Sequence, residues 1–191
     1  VILSTGGICF PAENCDDATW QGGSGISGDA DLELALTQIN LDWAVNNVTI
    51  LEFDFVAESE SVSFNYVFAS AEYTTYTCTQ FNDIFGFFLS GPGINGIYSD
   101  AAVNIALVPD PDNPGEFTDT PVAVNTINDG EDINAASCND IDENFESYNI
   151  YWIDNEYTGN NWEGVNEPPD PAFTIPTFAA TGTGITGFTV P

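Results

Sequence analysis

The segment FNDIFGFFLSGPG, residues 81–93, places a carboxylate directly before an apolar and aromatic run. A carboxylate in such surroundings loses hydration, and this loss is costly unless a hydrogen bond, a proton or a cation compensates it. No side-chain cation can compensate Asp83, because the chain contains 30 Asp and Glu residues but no Lys, Arg or His. Backbone N–H groups, protonation and a metal ion remain as candidates. Calcium is the metal whose ligands are carboxylate, amide and carbonyl oxygens.

The acidic motif GDADL, residues 28–32, and the segment AEY, residues 71–73, supply further oxygen ligands. We therefore predict one calcium site, whose candidate ligands are Asp29, Asp31, Glu72, Asn82 and Asp83. The alternative interpretation is structural: Asp29 or Asp31 caps a helix, while Asn82 and Asp83 close a turn through side-chain hydrogen bonds. Because the chain has no cationic side chain to balance these carboxylates, the metal site and the structural role both remain open.

Two other acidic loops begin like the calcium-binding loop of an EF-hand but depart from that pattern. The loop from Asp110 has Pro121 where the bidentate glutamate belongs, and the loop from Asp140 has Phe145 where glycine is required. Both loops are predicted to be solvated acidic surface.

The absence of cationic side chains excludes several function classes. Nucleic-acid binding, phosphate clamps, Schiff bases and Ser-His-Asp triads all need residues that this chain lacks. Two carboxylates could still serve a glycosidase, but 30 acids guarantee many chance pairs. We predict that the protein is not an enzyme. No run approaches the roughly 18 apolar residues of a membrane span, so no membrane insertion is predicted.

The four cysteines lack the C-x-x-C spacing of zinc and redox sites. Their even number favours two disulfides in an oxidising, extracellular setting. The preferred pairing, of three possible, is Cys9 with Cys15 and Cys78 with Cys138. Reduced, buried cysteines are the alternative.

The hydrophobic pattern favours an all-β fold. One helix is predicted over DADLELALTQIN, residues 29–40. Alternating segments divided by Asp-, Asn-, Gly- and Pro-rich loops predict strands at 48–56, 61–70, 83–93, 102–109, 120–128, 148–154 and 186–191. We predict a single β-sandwich domain over 1–191, jelly-roll-like, with one short helix and long acidic loops.

An aromatic segment near the C-terminus could contact sugars or a protein partner. Its candidate residues are Tyr148, Tyr151, Trp152, Tyr157 and Trp162. Aromatic rings next to amides and carboxylates suit stacking on sugar rings, but they equally suit a protein core or interface, which is the safer interpretation.

A series of motifs occurs in one order along the chain: GDADL (28–32), ILEFDFV (50–56), FNYVFASAEY (64–73), FNDIFGFFLSGPG (81–93), NIALVP (104–109) and VNTIN (124–128). This series resembles the choice-of-anchor L domain of secreted bacterial surface proteins, common in Bacteroidota. The resemblance implies an extracellular module, often of adhesin-like proteins, without enzymatic activity.

The family pattern begins before VILSTG and continues past FTVP, so this chain is expected to lack terminal strands of that pattern. Open strand edges would allow assembly by strand donation, whereas the missing residues could equally belong to a longer chain. We expect a calcium-stabilised structural or adhesive module, a subunit of a surface fibre or part of a large adhesin. Its expected partners are copies of itself or other surface proteins. A calcium-dependent carbohydrate-binding module is the alternative.

Overall fold

The structure, a computed structural model, describes residues 3, 5, 26–57, 62–70, 76–129, 135–152 and 181–190. Strands outnumber helices in these ranges, and all the paired strands run antiparallel, which confirms the predicted all-β class. The elements in chain order are helix α1 (Ala30–Thr37), strands β1 (Val62–Ser70), β2 (Ile84–Phe85) and β3 (Phe88–Leu89), a 3-10 helix (Ser99–Ala101), strands β4 (Val103–Asn104), β5 (Leu107–Pro109) and β6 (Phe117–Ala123), helix α2 (Ala135–Ile141), a 3-10 helix (Phe145–Tyr151) and strand β7 (Thr181–Val190).

Helix α1 begins where the sequence predicts it, because Asp29 caps it. The Asp29 Oδ1 atom accepts hydrogen bonds from the backbone N–H groups of Asp31 at 3.1 Å and Leu32 at 2.9 Å. These are two of the donors that a helix start leaves without a partner. Leu36 on the helix and Ile39 just after it are buried, and they pack with Ala123 of β6. The cap thus fixes the helix against the sheet.

The strands form three small sheets. β1 pairs with β7 over nine positions, from Val62 opposite Val190 to Ser70 opposite Thr181, with a register shift near Ser70. β6 lies between β2 and β5, and β3 pairs with β4. The long β1–β7 ladder joins residues more than 110 positions apart, so β7 brings a distant part of the chain next to β1.

Strand β1 lies on the three-stranded sheet β2–β6–β5 through aromatic side chains. The ring of Tyr66 lies 4.6 Å from that of Phe85, and the ring of Phe68 lies 6.5 Å from it, centroid to centroid. Both β1 residues also pack against a buried cluster that includes Val108 and Val122. Alternate residues of one strand therefore cover one face of a second sheet, as layered packing requires. The sandwich and its jelly-roll order stay predictions.

The predicted strand 102–109 divides into β4 and β5, and two further predicted strands are shorter than expected. The segment 83–93 divides into β2 and β3 around Gly86, where an added Cβ would meet the Phe88 ring at 2.6 Å. The segment 120–128 ends as a strand at Ala123 and continues as a turn. In both segments, polar or glycine residues interrupt a strand that the apolar pattern predicted to be continuous.

The predicted strand at 148–154 is wrong over its described part, because residues 145–151 form a 3-10 helix. Such a helix has three residues per turn, so Phe145, Tyr148 and Tyr151 point the same way. The first two are buried, whereas Ile150, which the strand pattern placed beside Tyr148, is 64% exposed. Helix α2 was not predicted at all, and residues 48–56 join none of the sheets within the described ranges.

Candidate functional site

Asp83 is compensated by a hydroxyl group. It precedes β2, and its carbonyl oxygen accepts a hydrogen bond from the backbone N–H of Val124 at 3.0 Å. The Ser70 hydroxyl, at the end of β1, donates to Asp83 Oδ2 at 2.6 Å. Ser70 itself is only 3% exposed. A neutral hydroxyl donor with little access to water is thus a partner of this carboxyl.

The surroundings of Asp83 act on the pKa of its carboxyl in opposite directions. Crowding by protein atoms removes solvation and raises the pKa of this carboxyl above its usual value of 3.8, while the hydrogen bond from Ser70 lowers it. The residue nevertheless keeps an exposed surface. Protein atoms therefore crowd the carboxyl, while the residue as a whole keeps contact with solvent.

The neighbouring Asn82 connects the motif FND to the motif VNTIN. Its Oδ1 accepts from the backbone N–H of Asn125 at 2.9 Å. The fully buried Asn125 side chain in turn accepts from the backbone N–H of Cys78 at 2.6 Å and donates to the carbonyl of Thr79 at 3.2 Å. Two motifs more than 40 residues apart therefore hold one loop in place. Asn125 was not among the predicted site residues, although a polar residue within an apolar stretch was a visible signal.

The predicted disulfide Cys78–Cys138 is confirmed, with Cα atoms 5.0 Å apart. Both cysteines are buried and pack with Phe145. The bridge ties the loop before β2 to helix α2, so it supports the same region as the asparagine network. Cys9 and Cys15 lie outside the described residues, and their pairing stays a prediction.

The structure gives the GDADL aspartates separate roles. Asp29 caps α1, while Asp31 Oδ1 accepts from the backbone N–H and the hydroxyl of Ser99 at 2.9 and 3.0 Å. Within the ranges that the structure describes, no three acidic or cysteine side chains group as a metal site would require. Glu72 lies outside those ranges. The calcium site therefore stays a prediction, and the capping role of Asp29 is confirmed.

A second carboxylate repeats the arrangement at Asp83. Asp142 Oδ2 accepts from the Thr120 hydroxyl at 2.6 Å and from the Tyr148 hydroxyl at 3.3 Å, and Oδ1 accepts from the Asn144 backbone N–H at 2.8 Å. Hydroxyl and amide donors thus satisfy several carboxylates of this cation-free chain. These bonds fix the side chains without cancelling their charge.

The loop that begins at Asp110 is satisfied by its own residues. Asp110 accepts from the backbone N–H groups of Asp112 and Asn113 and, at 2.7 Å, from the Asn113 side-chain amide. That amide, followed by the Asp112 N–H, lowers the pKa of the carboxyl. This geometry is that of an Asx turn, in a loop that the sequence predicted to be solvated acidic surface.

The predicted contact aromatics occupy different environments. Tyr148 is 3% exposed in the core with Val108 and Val122, and burial, before any other cause, raises the pKa of its hydroxyl. Its ring faces are therefore not available to a sugar, and the core interpretation holds for this residue. Tyr151 and Trp152 are half-buried against the same cluster. Tyr157 and Trp162 lie outside the described residues.

The family of the chain agrees with the motif series. The family model described as Choice-of-anchor L domain matches residues 1–166, and the chain belongs to this family. No curated protein and no solved structure shows significant similarity to the chain. None of the helices in the described ranges has the length and apolar character to cross a membrane. Family membership implies a surface-associated module of a secreted protein.

Proposed function

We propose that this choice-of-anchor L domain is a non-enzymatic structural or adhesive module at the cell surface, either a subunit of a fibre or part of a large adhesin. The family match over residues 1–166 carries the proposal. A buried disulfide suits an oxidising, extracellular setting. A chain without Lys or Arg also offers no bond to trypsin-like proteases, which benefits a protein exposed outside the cell.

The proposal includes the predicted architecture, a single jelly-roll-like β-sandwich over 1–191. The packing of β1 against β2–β6–β5 supports it, because two sheets in face-to-face contact are the unit of a sandwich.

Calcium stabilisation is the part of the proposal with the sharpest test. The chain has a formal net charge of −30, and oxygen ligands are its only means of binding a cation, cysteine sulfur apart. Asp83 supports the idea, since protein atoms crowd its carboxyl while the residue keeps exposed surface. A bound calcium would stabilise the folded protein by an amount that grows with the logarithm of the calcium concentration once this exceeds the dissociation constant, so the melting temperature would rise with added calcium. An unchanged melting temperature after chelation would refute calcium stabilisation.

Light scattering on the native protein, first with calcium and then with excess chelator, tests the fibre and its metal together. Large particles that dissociate on chelation are expected for a metal-held fibre subunit. An Asp83→Asn variant should then lose the large particles, whereas Asp112→Asn, in an exposed loop, should keep them. A monomer of about 20.5 kDa under both conditions would refute the fibre and leave a single adhesin module.

A calcium-dependent carbohydrate-binding module is the second candidate. The half-buried Tyr151 and Trp152 favour it, because amphipathic rings at the edge of a core can stack on sugars. A saccharide array probed with calcium should then give binding that Trp152→Ala abolishes. An array without binding would remove this candidate.

A further inference from the structure

The connection between β3 and β4 contains the only Asn–Gly dipeptide of the chain, Asn95–Gly96. We call residues 94–102 of this connection the 94–102 loop. Asn95 is exposed. An asparagine deamidates spontaneously when the backbone nitrogen of the next residue attacks its side-chain amide carbon. Glycine as the next residue permits this attack most readily, because it has no Cβ to shield its nitrogen. The dipeptide is therefore a candidate site of covalent modification.

Gly96 is required at its position by packing. A Cβ added to Gly96 would overlap the carbonyl oxygen of Ala102 and would lie 2.8 Å from Cγ1 of Val103, the first residue of β4. The backbone of the loop thus approaches itself so closely that only glycine fits. The fold therefore needs the same residue that makes Asn95 reactive.

The closed loop restrains the attacking nitrogen. The Gly96 N–H donates to the carbonyl of Ala101 at 2.7 Å, at the short end of the range for such bonds. Attack on Asn95 requires this nitrogen to lose its proton and to turn toward the side chain, and the hydrogen bond opposes both steps. Asp100 and Ala101 have φ values of 53° and 56°, in the left-handed region that residues other than glycine adopt at a cost. Surrounding contacts must therefore hold this conformation.

Helix α1 and strand β3 supply those contacts. Asp31 Oδ1 accepts from the backbone N–H and the hydroxyl of Ser99 at 2.9 and 3.0 Å. The Ala102 N–H donates to the Ser99 carbonyl at 3.0 Å, and the Tyr98 N–H donates to the Ala102 carbonyl at 3.2 Å. The Tyr98 ring lies 4.8 Å from that of Phe88 in β3, centroid to centroid. The loop is thus fixed from two sides.

Deamidation would change the backbone as well as the charge. The attack forms a bond between Gly96 N and Asn95 Cγ and releases the side-chain nitrogen as ammonia. Water then opens the cyclic imide at either carbonyl carbon, which leaves aspartate or isoaspartate and one additional negative charge. In isoaspartate the main chain passes through Cβ and Cγ, so it is longer by one bond of about 1.5 Å directly before Gly96. A loop that is fixed from two sides and has no room for a Cβ at Gly96 cannot accommodate this length.

We propose that Asn95–Gly96 is a deamidation site, that the closed 94–102 loop suppresses the reaction, and that isoaspartate at this position prevents the loop from closing again. The site goes beyond the proposed function, because it concerns how long the folded protein keeps its structure rather than what it contacts.

Incubation of the full 191-residue chain in mildly alkaline buffer with excess chelator tests the suppression, and a synthetic peptide of residues 91–100 is the unprotected reference. Mass spectrometry after chymotryptic digestion measures the deamidated fraction at Asn95. The full chain should react at least about ten-fold more slowly than the peptide, because only the opened loop can react. Equal rates, or a peptide that does not deamidate, would overturn the proposal.

Substitution of Asp31 tests whether its hydrogen bonds keep the loop closed. Asp31→Ala removes both bonds to Ser99 and should accelerate deamidation of Asn95 by about five-fold or more. Asp31→Asn is the matched control, because it removes the same charge but keeps an oxygen acceptor, so its rate should stay closer to that of the parent. An unchanged rate in Asp31→Ala, or the same acceleration in both variants, would overturn this closure of the loop.

Hydrogen exchange at Gly96 tests the effect of isoaspartate and needs no variant of helix α1. Incubation in urea produces the deamidated chain, which is returned to native buffer, and enzymatic methylation of isoaspartyl carboxyl groups identifies the isoaspartate form. Asn95→Asp is the matched control, because it has the same charge and composition with an ordinary backbone. The Gly96 amide should exchange rapidly in the isoaspartate form and slowly in Asn95→Asp. Equal exchange in the two proteins would overturn the proposal.

Discussion

Removal of the Cys78–Cys138 disulfide should destabilise the protein more than any ordinary single substitution. The bridge closes a loop of 60 residues. The chain-entropy relation for a loop of this length gives a stabilisation of about 4 kcal/mol at 25 °C. Both cysteines are also buried against Phe145, so replacement by alanine adds a packing loss of about 1 kcal/mol. The expected total, about 5 kcal/mol, approaches the whole stability of a marginal domain.

Urea unfolding followed by circular dichroism measures this loss in a Cys78→Ala/Cys138→Ala variant. The matched control is Cys9→Ala/Cys15→Ala, whose predicted bridge spans 6 positions. The same relation gives about 2 kcal/mol for so short a loop. Adding a reductant to the control variant then opens only the 78–138 bridge, which separates chain entropy from packing.

Two results would refute this reasoning. One is a Cys78→Ala/Cys138→Ala variant that is no less stable than the control variant. The other is a control variant whose urea midpoint is the same in oxidising and reducing buffer. Either would mean that the bridge does not constrain the unfolded chain as its loop length requires.

Three further perturbations test a hydrogen-bond network, a close backbone approach and a titrating carboxyl. Asn125→Ala leaves the buried N–H of Cys78 without its acceptor and should cost about 2 to 4 kcal/mol in urea unfolding; a loss below about 0.5 kcal/mol would contradict the network. Gly96→Ala places a Cβ against a backbone carbonyl and should cost about 1 to 3 kcal/mol, whereas Gly91→Ala has room and should change stability by less than about 0.5 kcal/mol; equal effects would contradict this close approach. Because the folded-state pKa of Asp83 is raised, its stabilising contribution is complete below the unfolded pKa and is lost as pH rises through the folded pKa. In chelator, Asp83→Asn should therefore gain stability relative to the parent as pH rises from about 3 to 7, and a constant difference in thermal melts would contradict the raised pKa.

Local features of the fold could be predicted from sequence. Asp29 caps α1 because capping depends on atoms three residues away, and the alternation in β1 is visible in Val62–Ser70 itself. The 3-10 helix at 145–151 was missed because a short aromatic segment satisfies a period of two and a period of three equally well. Burial of Phe145 rather than Ile150 decides between them, and burial depends on the rest of the fold.

The pairing of the strands and the hydrogen-bond partner of Asp83 could not be predicted from local sequence. The neighbour of β1 is β7, although the nearer segment 48–56 has the stronger alternation. At the candidate site, the sequence correctly raised the problem of Asp83 but could not identify Ser70 as its partner. The sequence contains many hydroxyl groups, and only the folded structure shows which of them lies next to Asp83. The disulfide was predictable because four cysteines allow only three complete pairings.

The hydroxyl partners of Asp83 and Asp142 have a consequence for how many copies would behave together. A salt bridge neutralises a charge inside the molecule, but a serine or threonine donor leaves the charge to be balanced from solution. Each copy therefore keeps small cations near its surface, up to the formal charge of −30. A dense layer of such copies would hold these ions and the water that accompanies them. The layer would swell in dilute monovalent salt and contract when divalent ions replace the monovalent ones, as a polyelectrolyte gel does.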